Sequence, residues 1–171
     1  DAASHGALRA SGAALGTMPC PALPGASSPS NAAHYGKLDT WATAADSLER
    51  DGWLTPDEAR RLRLLWWFGQ LIGNADMHFG NVSLTLDRPC RLAPTYDMLP
   101  MLYRPEPGGE LVARALEPAL PPPAHLELWQ EAAGLAVRLW EEVSRDPRVS
   151  SLFREEAERN AARVRAALAR A

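Results

Sequence analysis

The chain has 171 residues, 46% apolar and 23% charged, which is enough for one domain with a real core and too few for two ordinary ones. A net charge of -3 argues against direct binding of nucleic acid, since a phosphate-backbone binder needs a basic surface. The longest apolar run, Leu64 to Phe68, is far shorter than the roughly 20 residues of a membrane span, and no charged start with an apolar core opens the chain. A cytoplasmic protein with no membrane partner is expected. Cys20 and Cys90 make neither a disulfide framework nor a Cys-x-x-Cys pair, so both are expected to stay free.

Residues 1–34 are mostly Ala, Gly, Ser and Pro, with no large apolar residue repeated at period two or 3.6, and are expected to be flexible. Residues 35–171 are expected to form the folded domain. Asp39 is a candidate cap for a short helix with Trp41, Ala44, Ala45 and Leu48 on one face, closed by Asp51-Gly52. Thr55-Pro56-Asp57-Glu58 combines a capping threonine, proline at the first helical position and glutamate three residues after the cap. A helix from about Pro56 to Ile72 follows. Its apolar residues cover most of the circumference, predicting burial on several sides and a central place in the domain. Trp66 and Trp67 then read as core residues.

After Gly73 comes a polar loop, Asn74 to Asn81, and then the strand-like alternation Val82-Ser83-Leu84-Thr85-Leu86. A turn at Asp87-Arg88-Pro89 and a second short strand, Arg91-Leu92-Ala93, predict a small hairpin that brings Tyr96 and Asp97 back beside the polar loop. Residues 104–123 read as loop. Two closing helices are expected, one from about His125 to Arg145 and one starting at Ser150 or Ser151, with Glu141-Glu142 and Glu155-Glu156 on solvated faces. The expected class is mainly α with a small β-hairpin, an α+β fold.

The chemistry concentrates in Gly73-Asn74-Ala75-Asp76-Met77-His78-Phe79-Gly80-Asn81 and Pro94-Thr95-Tyr96-Asp97. An aspartate followed five residues later by an asparagine, after a buried helix and before a strand, suits a carboxylate at an attacking hydroxyl and an amide oxygen at a metal. Asp97, ending the returning hairpin, is placed to serve a hard cation, which takes oxygen ligands and shares them with nucleotide phosphates. The bland alternative is that Asp76 and Asn81 are Asx-turn residues. His78 suits packing and hydrogen bonding that hold the loop better than the role of a general base or metal ligand, Asn74 suits bracing of the loop backbone, and Tyr96 suits packing with its hydroxyl tied off.

The combined pattern I-G-N-x-D-x-H-x-x-N and P-x-Y-D resembles the C-terminal lobe of the HipA-family serine/threonine kinases, in particular their YjjJ-type branch, from about Tyr35 onward. The resemblance implies a protein-kinase-like C-terminal lobe with Asp76 as the catalytic aspartate, Asn81 as a metal ligand and Asp97 as the principal one. Asn74, His78 and Tyr96 would support the loop. It further implies Mg²⁺, ATP as substrate, a toxin role, a protein acceptor such as an aminoacyl-tRNA synthetase, and a helix-turn-helix antitoxin partner. Gly80 departs from the lysine of many members. Neither a glycine-rich phosphate cover nor a strand-borne lysine occurs, Lys37 being the only lysine, so the chain reads as half of a kinase, expected to be inactive alone. Two other functions stay open: a small-molecule phosphotransferase of the aminoglycoside or choline kinase type, since Asp76 to Asn81 also has the form D-x-H-x-G-N, and a non-catalytic binding remnant.

Overall fold

A computed structural model describes residues 40–110 and 112–171. The segment 1–34, Cys20, Lys37 and Asp39 lie outside the described residues. Helix α1 (Trp41–Arg50) is capped by Thr40, whose hydroxyl accepts the Thr43 N–H while the Thr43 hydroxyl accepts the Thr40 N–H. Two threonines thus make a capping box, and Gly52, at φ 71°, turns the chain away beyond Asp51. Helix α2 (Pro56–Leu71) begins as expected, with the Thr55 hydroxyl accepting the Glu58 N–H at 3.3 Å. The Glu58 carboxylate does not close the box, because it accepts the Leu92 N–H at 2.8 Å and so ties the returning segment to the helix.

The end of α2 is a complete Schellman turn. The Asn74 N–H donates to the Gly69 carbonyl at 2.8 Å and the Gly73 N–H to the Gln70 carbonyl at 3.2 Å, with Gly73 at φ 72°. A side chain at Gly73 would be strained by that φ and would press on Leu102 Cβ at 3.2 Å.

The expected β-hairpin is corrected: among the described residues there is no strand, only an antiparallel bridge at Leu84 and Leu92 and a parallel one at Leu54 and Cys90. The segments do pair back, with the Thr85 N–H on the Arg91 carbonyl and the Ala93 N–H on the Ser83 carbonyl. The ladder stops there: the Arg91 N–H, which would return to the Thr85 carbonyl, goes to the Thr85 hydroxyl, and the Leu92 N–H, on the edge that faces away from Leu84, goes to Glu58. The fold is mainly helical.

A one-turn 3-10 helix (Pro123–His125) leads into α3 (Leu126–Arg145), one residue later than expected, and α4 (Ser151–Leu168) follows, capped by the Ser150 hydroxyl. Ala132, Ala133 and Ala136 on α3 and Ala157, Ala161 and Ala167 on α4 are buried at their interface, where small side chains let the helices approach closely and Trp129 and Trp140 fill the space beside them. This core reaches α2 through Trp67, Leu71 and Ile72. A second core joins α1 to α2 through Trp41, Ala45, Leu48, Leu54, Ala59 and Leu62, and includes Cys90, which is free. Helix α2 therefore stands between two cores, with Trp66 and Met98 packed against both.

The buried indoles also fix the connections. Trp140 Nε1–H donates to the Leu71 carbonyl at 3.2 Å, Trp129 Nε1–H to Ala119 at 3.1 Å, and Trp67 Nε1–H to His125 Nδ1 at 3.2 Å.

Tyr103, just beyond the segment that carries Asp97, joins Asn160 at 3.0 Å, and Arg163 bridges Asn160 and Glu156. Glu156 is therefore a network residue with a side chain 17% exposed, a correction to the solvated face expected for it. Burial pushes its carboxyl up, but the hydrogen bonds and charges of Arg163 and Arg159 outweigh that and hold it below the ordinary value of 4.5. A carboxyl held below its unfolded value stabilises the fold above that value and loses the contribution as pH falls through the folded one. The stability advantage of the wild type over Glu156→Gln should thus be constant above pH 4.5 and shrink on further acidification, as measured by denaturant titrations across pH. A gap that stays constant would remove Glu156 from the acid response.

Candidate active site

The Schellman turn delivers Asn74 into the interior, where it is 4% exposed and serves two loops at once. Its Oδ1 accepts the Asp76 N–H at 3.0 Å and its Nδ2–H donates to the Asp97 carbonyl at 3.3 Å. A second asparagine repeats the arrangement. Asn81 Nδ2 donates to the Asp76 carbonyl at 2.9 Å and to Asp97 Oδ2 at 3.2 Å. Asp76, Asn81 and Asp97 thus meet at one place, joined through amide groups whose geometry the backbone sets.

Asp97 has φ 54°, the only positive φ outside glycine among the described residues. Aspartate tolerates this region better than most residues, at a cost of roughly 1–2 kcal/mol, and the two asparagine contacts hold it there. Strain concentrated on a surface carboxylate, where packing does not require it, points to function. Asp97 Oδ1 and Asn81 Oδ1 accept no hydrogen bond among the described residues. These are oxygen donors of the kind a hard cation takes. Among the described residues no group of three or more His, Cys, Asp or Glu side chains is placed to hold a metal by itself.

The supporting residues divide between expectation and correction. Tyr96 donates its hydroxyl to the Gly80 carbonyl at 2.7 Å and lies 3.1 Å from Ser83 Oγ, so the hydroxyl is tied off as expected. The residue, however, is 40% exposed, so Tyr96 tethers the loop from the surface and does not pack into the core. His78 holds the loop with Nδ1, which accepts the Gly80 N–H at 3.0 Å. It does not pack: the side chain is 59% exposed, with Nε2 3.8 Å from Asp76 Oδ1.

Several positioning contacts left no sequence signal. Trp41 Nε1–H, from the buried face of α1, donates to the His78 carbonyl at 3.1 Å. A Cβ at Gly69 would collide with the Met77 thioether, and Met98 Sδ would lie 3.3 Å away. The bare helix surface at Gly69 is thus what lets one methionine from each loop seat on α2.

Residues 21–170 match the HipA-like C-terminal domain family. The chain belongs to that family. It is also 37% identical over 127 residues to Toxin YjjJ of Escherichia coli (strain K12), an overlap that covers 74% of this chain and 29% of the relative. The chain thus spans under a third of the length of the curated relative it matches. No solved structure matches it. Among the described residues of the HipA-like domain, no helix is long and apolar enough to cross a membrane.

In this HipA-like domain, Asn74→Ala removes an acceptor and a donor from the buried junction and leaves the Asp76 N–H and Asp97 carbonyl without their partner. We expect a loss of about 1–3 kcal/mol, measured by thermal or urea unfolding. Unchanged unfolding would show that the two loops hold together without Asn74.

Proposed function

We propose that this domain is the catalytic lobe of a HipA-like protein serine/threonine kinase, transferring the γ-phosphate of ATP to a protein hydroxyl. The observation that carries the reading is the meeting of Asp76, Asn81 and Asp97 through the Asn81 amide. Family membership and the printed name of the relative, a toxin, favour a toxin role over a small-molecule phosphotransferase. In that role the acceptor is a protein such as an aminoacyl-tRNA synthetase, and a helix-turn-helix antitoxin is the regulatory partner.

The donor set fits Mg²⁺, which takes one or two carboxylates, keeps several waters and binds substrate phosphates instead of a closed protein cage. Asn81 Oδ1 and the Asp97 carboxylate would hold it. Mg²⁺ so bound would neutralise charge on the ATP phosphates. Asp76 accepts a hydrogen bond from the acceptor hydroxyl, orients it and takes its proton as the hydroxyl oxygen bonds to the γ-phosphorus and the bond to the β–γ bridging oxygen breaks, releasing ADP. The Asn74 and Asn81 contacts to its backbone fix where that carboxylate stands, so the rate gain comes from orientation. The phosphate-covering loop and the lysine of such an enzyme would come from sequence beyond this lobe. We therefore expect the 171-residue chain alone to bind Mg-ATP weakly and transfer phosphate negligibly; turnover of order 1–100 per second would overturn the half-kinase reading.

In the full-length protein that carries this domain, Asp76→Asn should lower turnover by roughly 100- to 10,000-fold, about 3–5 kcal/mol, with ATP affinity nearly unchanged. Asp97→Asn should abolish Mg²⁺-dependent turnover with melting unchanged. Turnover assays paired with ATP titration and thermal melting check both. If Asp76→Asn melts early yet turns over normally, the aspartate is a loop cap and the proposal fails.

A further inference from the structure

His78 is fixed more closely than loop support requires. Its backbone is held by Trp41 Nε1–H on the carbonyl, 3.1 Å away. Its ring is held by the Gly80 N–H on Nδ1 at 3.0 Å, and that donor assigns the proton of the neutral imidazole to Nε2. The ring lies over the bare Cα of Gly80, where a Cβ would come within 2.8 Å of both Cε1 and Nδ1. So placed, Nε2–H stands 3.8 Å from Asp76 Oδ1. That is longer than a hydrogen bond, and a shift of about 1 Å in either exposed side chain closes it. Contacts of this kind commonly tighten when substrate binds.

We infer that His78 is a positioning residue for Asp76: Gly80 fixes its tautomer and seat, and Nε2–H engages Asp76 Oδ1, which leaves Oδ2 for the acceptor hydroxyl. The inference rests on the kinase reading of Asp76 and adds to it the choice of carboxylate oxygen. Without this contact the carboxylate rotates about its Cβ–Cγ bond, and the acceptor hydroxyl meets either oxygen in varied orientations. With it, one rotamer and one oxygen serve the reaction. In this chain the ring occupies the space that a Cβ at residue 80 would fill, so a side chain added there displaces it.

The two halves of the imidazole can be tested separately in the full-length protein. Asparagine at residue 78 keeps an acceptor near the Nδ1 position and loses the Nε2 donor, whereas glutamine keeps a donor near Nε2 and loses the cap on Gly80. His78→Asn should lower kcat about 10- to 100-fold with the KM for ATP and the melting temperature unchanged. His78→Gln should recover most of kcat while melting earlier. Gly80→Ala leaves the histidine in place, and Gly80 is not in the left-handed region, so its backbone accepts alanine. Displacement of the ring should give this variant the kinetic defect of His78→Asn. A merely structural histidine would show the reverse order, with asparagine active and glutamine impaired, and that order overturns the inference. If Asp76→Asn abolishes turnover while His78→Asn and Gly80→Ala match the wild type, the positioning role alone fails. If Asp76→Asn turns over normally, the kinase reading fails with it.

Discussion

The turn that ends α2 is the constraint on which the candidate site depends. Gly73 adopts a left-handed conformation that closes the helix, and the next residue, Asn74, is thereby driven inward with both ends of its amide facing loop backbone. Had the helix run one turn further, the amide could not reach the Asp76 N–H and the Asp97 carbonyl together. The turn is held by tertiary packing, since Trp140 donates to the Leu71 carbonyl from α3 and Leu102 N–H donates to the Gly73 carbonyl from the far loop. Chain termination, core packing and site geometry are thus coupled at one short stretch.

Backbone-directed amides suit a site that has to hold carboxylates close together without neutralising them. Asp76 and Asp97 both carry carboxyl groups, and in the proposed site a cationic side chain between them would compete with a metal or with substrate. Asn74 and Asn81 instead bond mostly to peptide groups, and only one amide hydrogen reaches a carboxylate oxygen. The oxygens that the proposed chemistry would use stay available while the main chain supplies rigidity. The left-handed Asp97 fits this division of labour, because its backbone conformation is stabilised by contacts from both asparagines rather than by burial of its own side chain.

The remaining architecture acts as a frame around these loops. Small alanines bring α3 and α4 together, tryptophans fill the adjacent volume, and their indole N–H groups reach out to connecting backbone. The same device operates between α1 and the loop of Asn74 to Asn81 through Trp41. Large aromatic side chains therefore serve two purposes here: area removed from water, and a directional hydrogen bond that sets where a loop leaves the core. Glu58 does similar work from the first turn of α2, where its carboxylate takes the outward-facing Leu92 N–H and ties the returning segment to the helix.

Much of this molecule is written locally. The four helices of the described residues, the proline and threonine at the start of α2, and Asp51-Gly52 after α1 follow from capping chemistry and apolar period, which act over a few residues and need no knowledge of the fold. The family, too, is legible in the spacing of Asp76, Asn81 and Asp97 with their neighbours. What the local signals misjudge depends on partners distant in sequence. The alternation at Val82 to Leu86 suits a strand, yet the Thr85 hydroxyl takes the Arg91 N–H that a ladder would have used. Glu156 looks solvated until Tyr103 and Arg163 enclose it. The left-handed Asp97, the seat of His78 over Gly80 and the reach of Trp41 to the loop exist only once α1, α2 and the returning segment have packed. Sequence spacing brings the right groups into one region through short-range rules, but orientation within that region is set by hydrogen bonds between elements, and only the tertiary structure decides those.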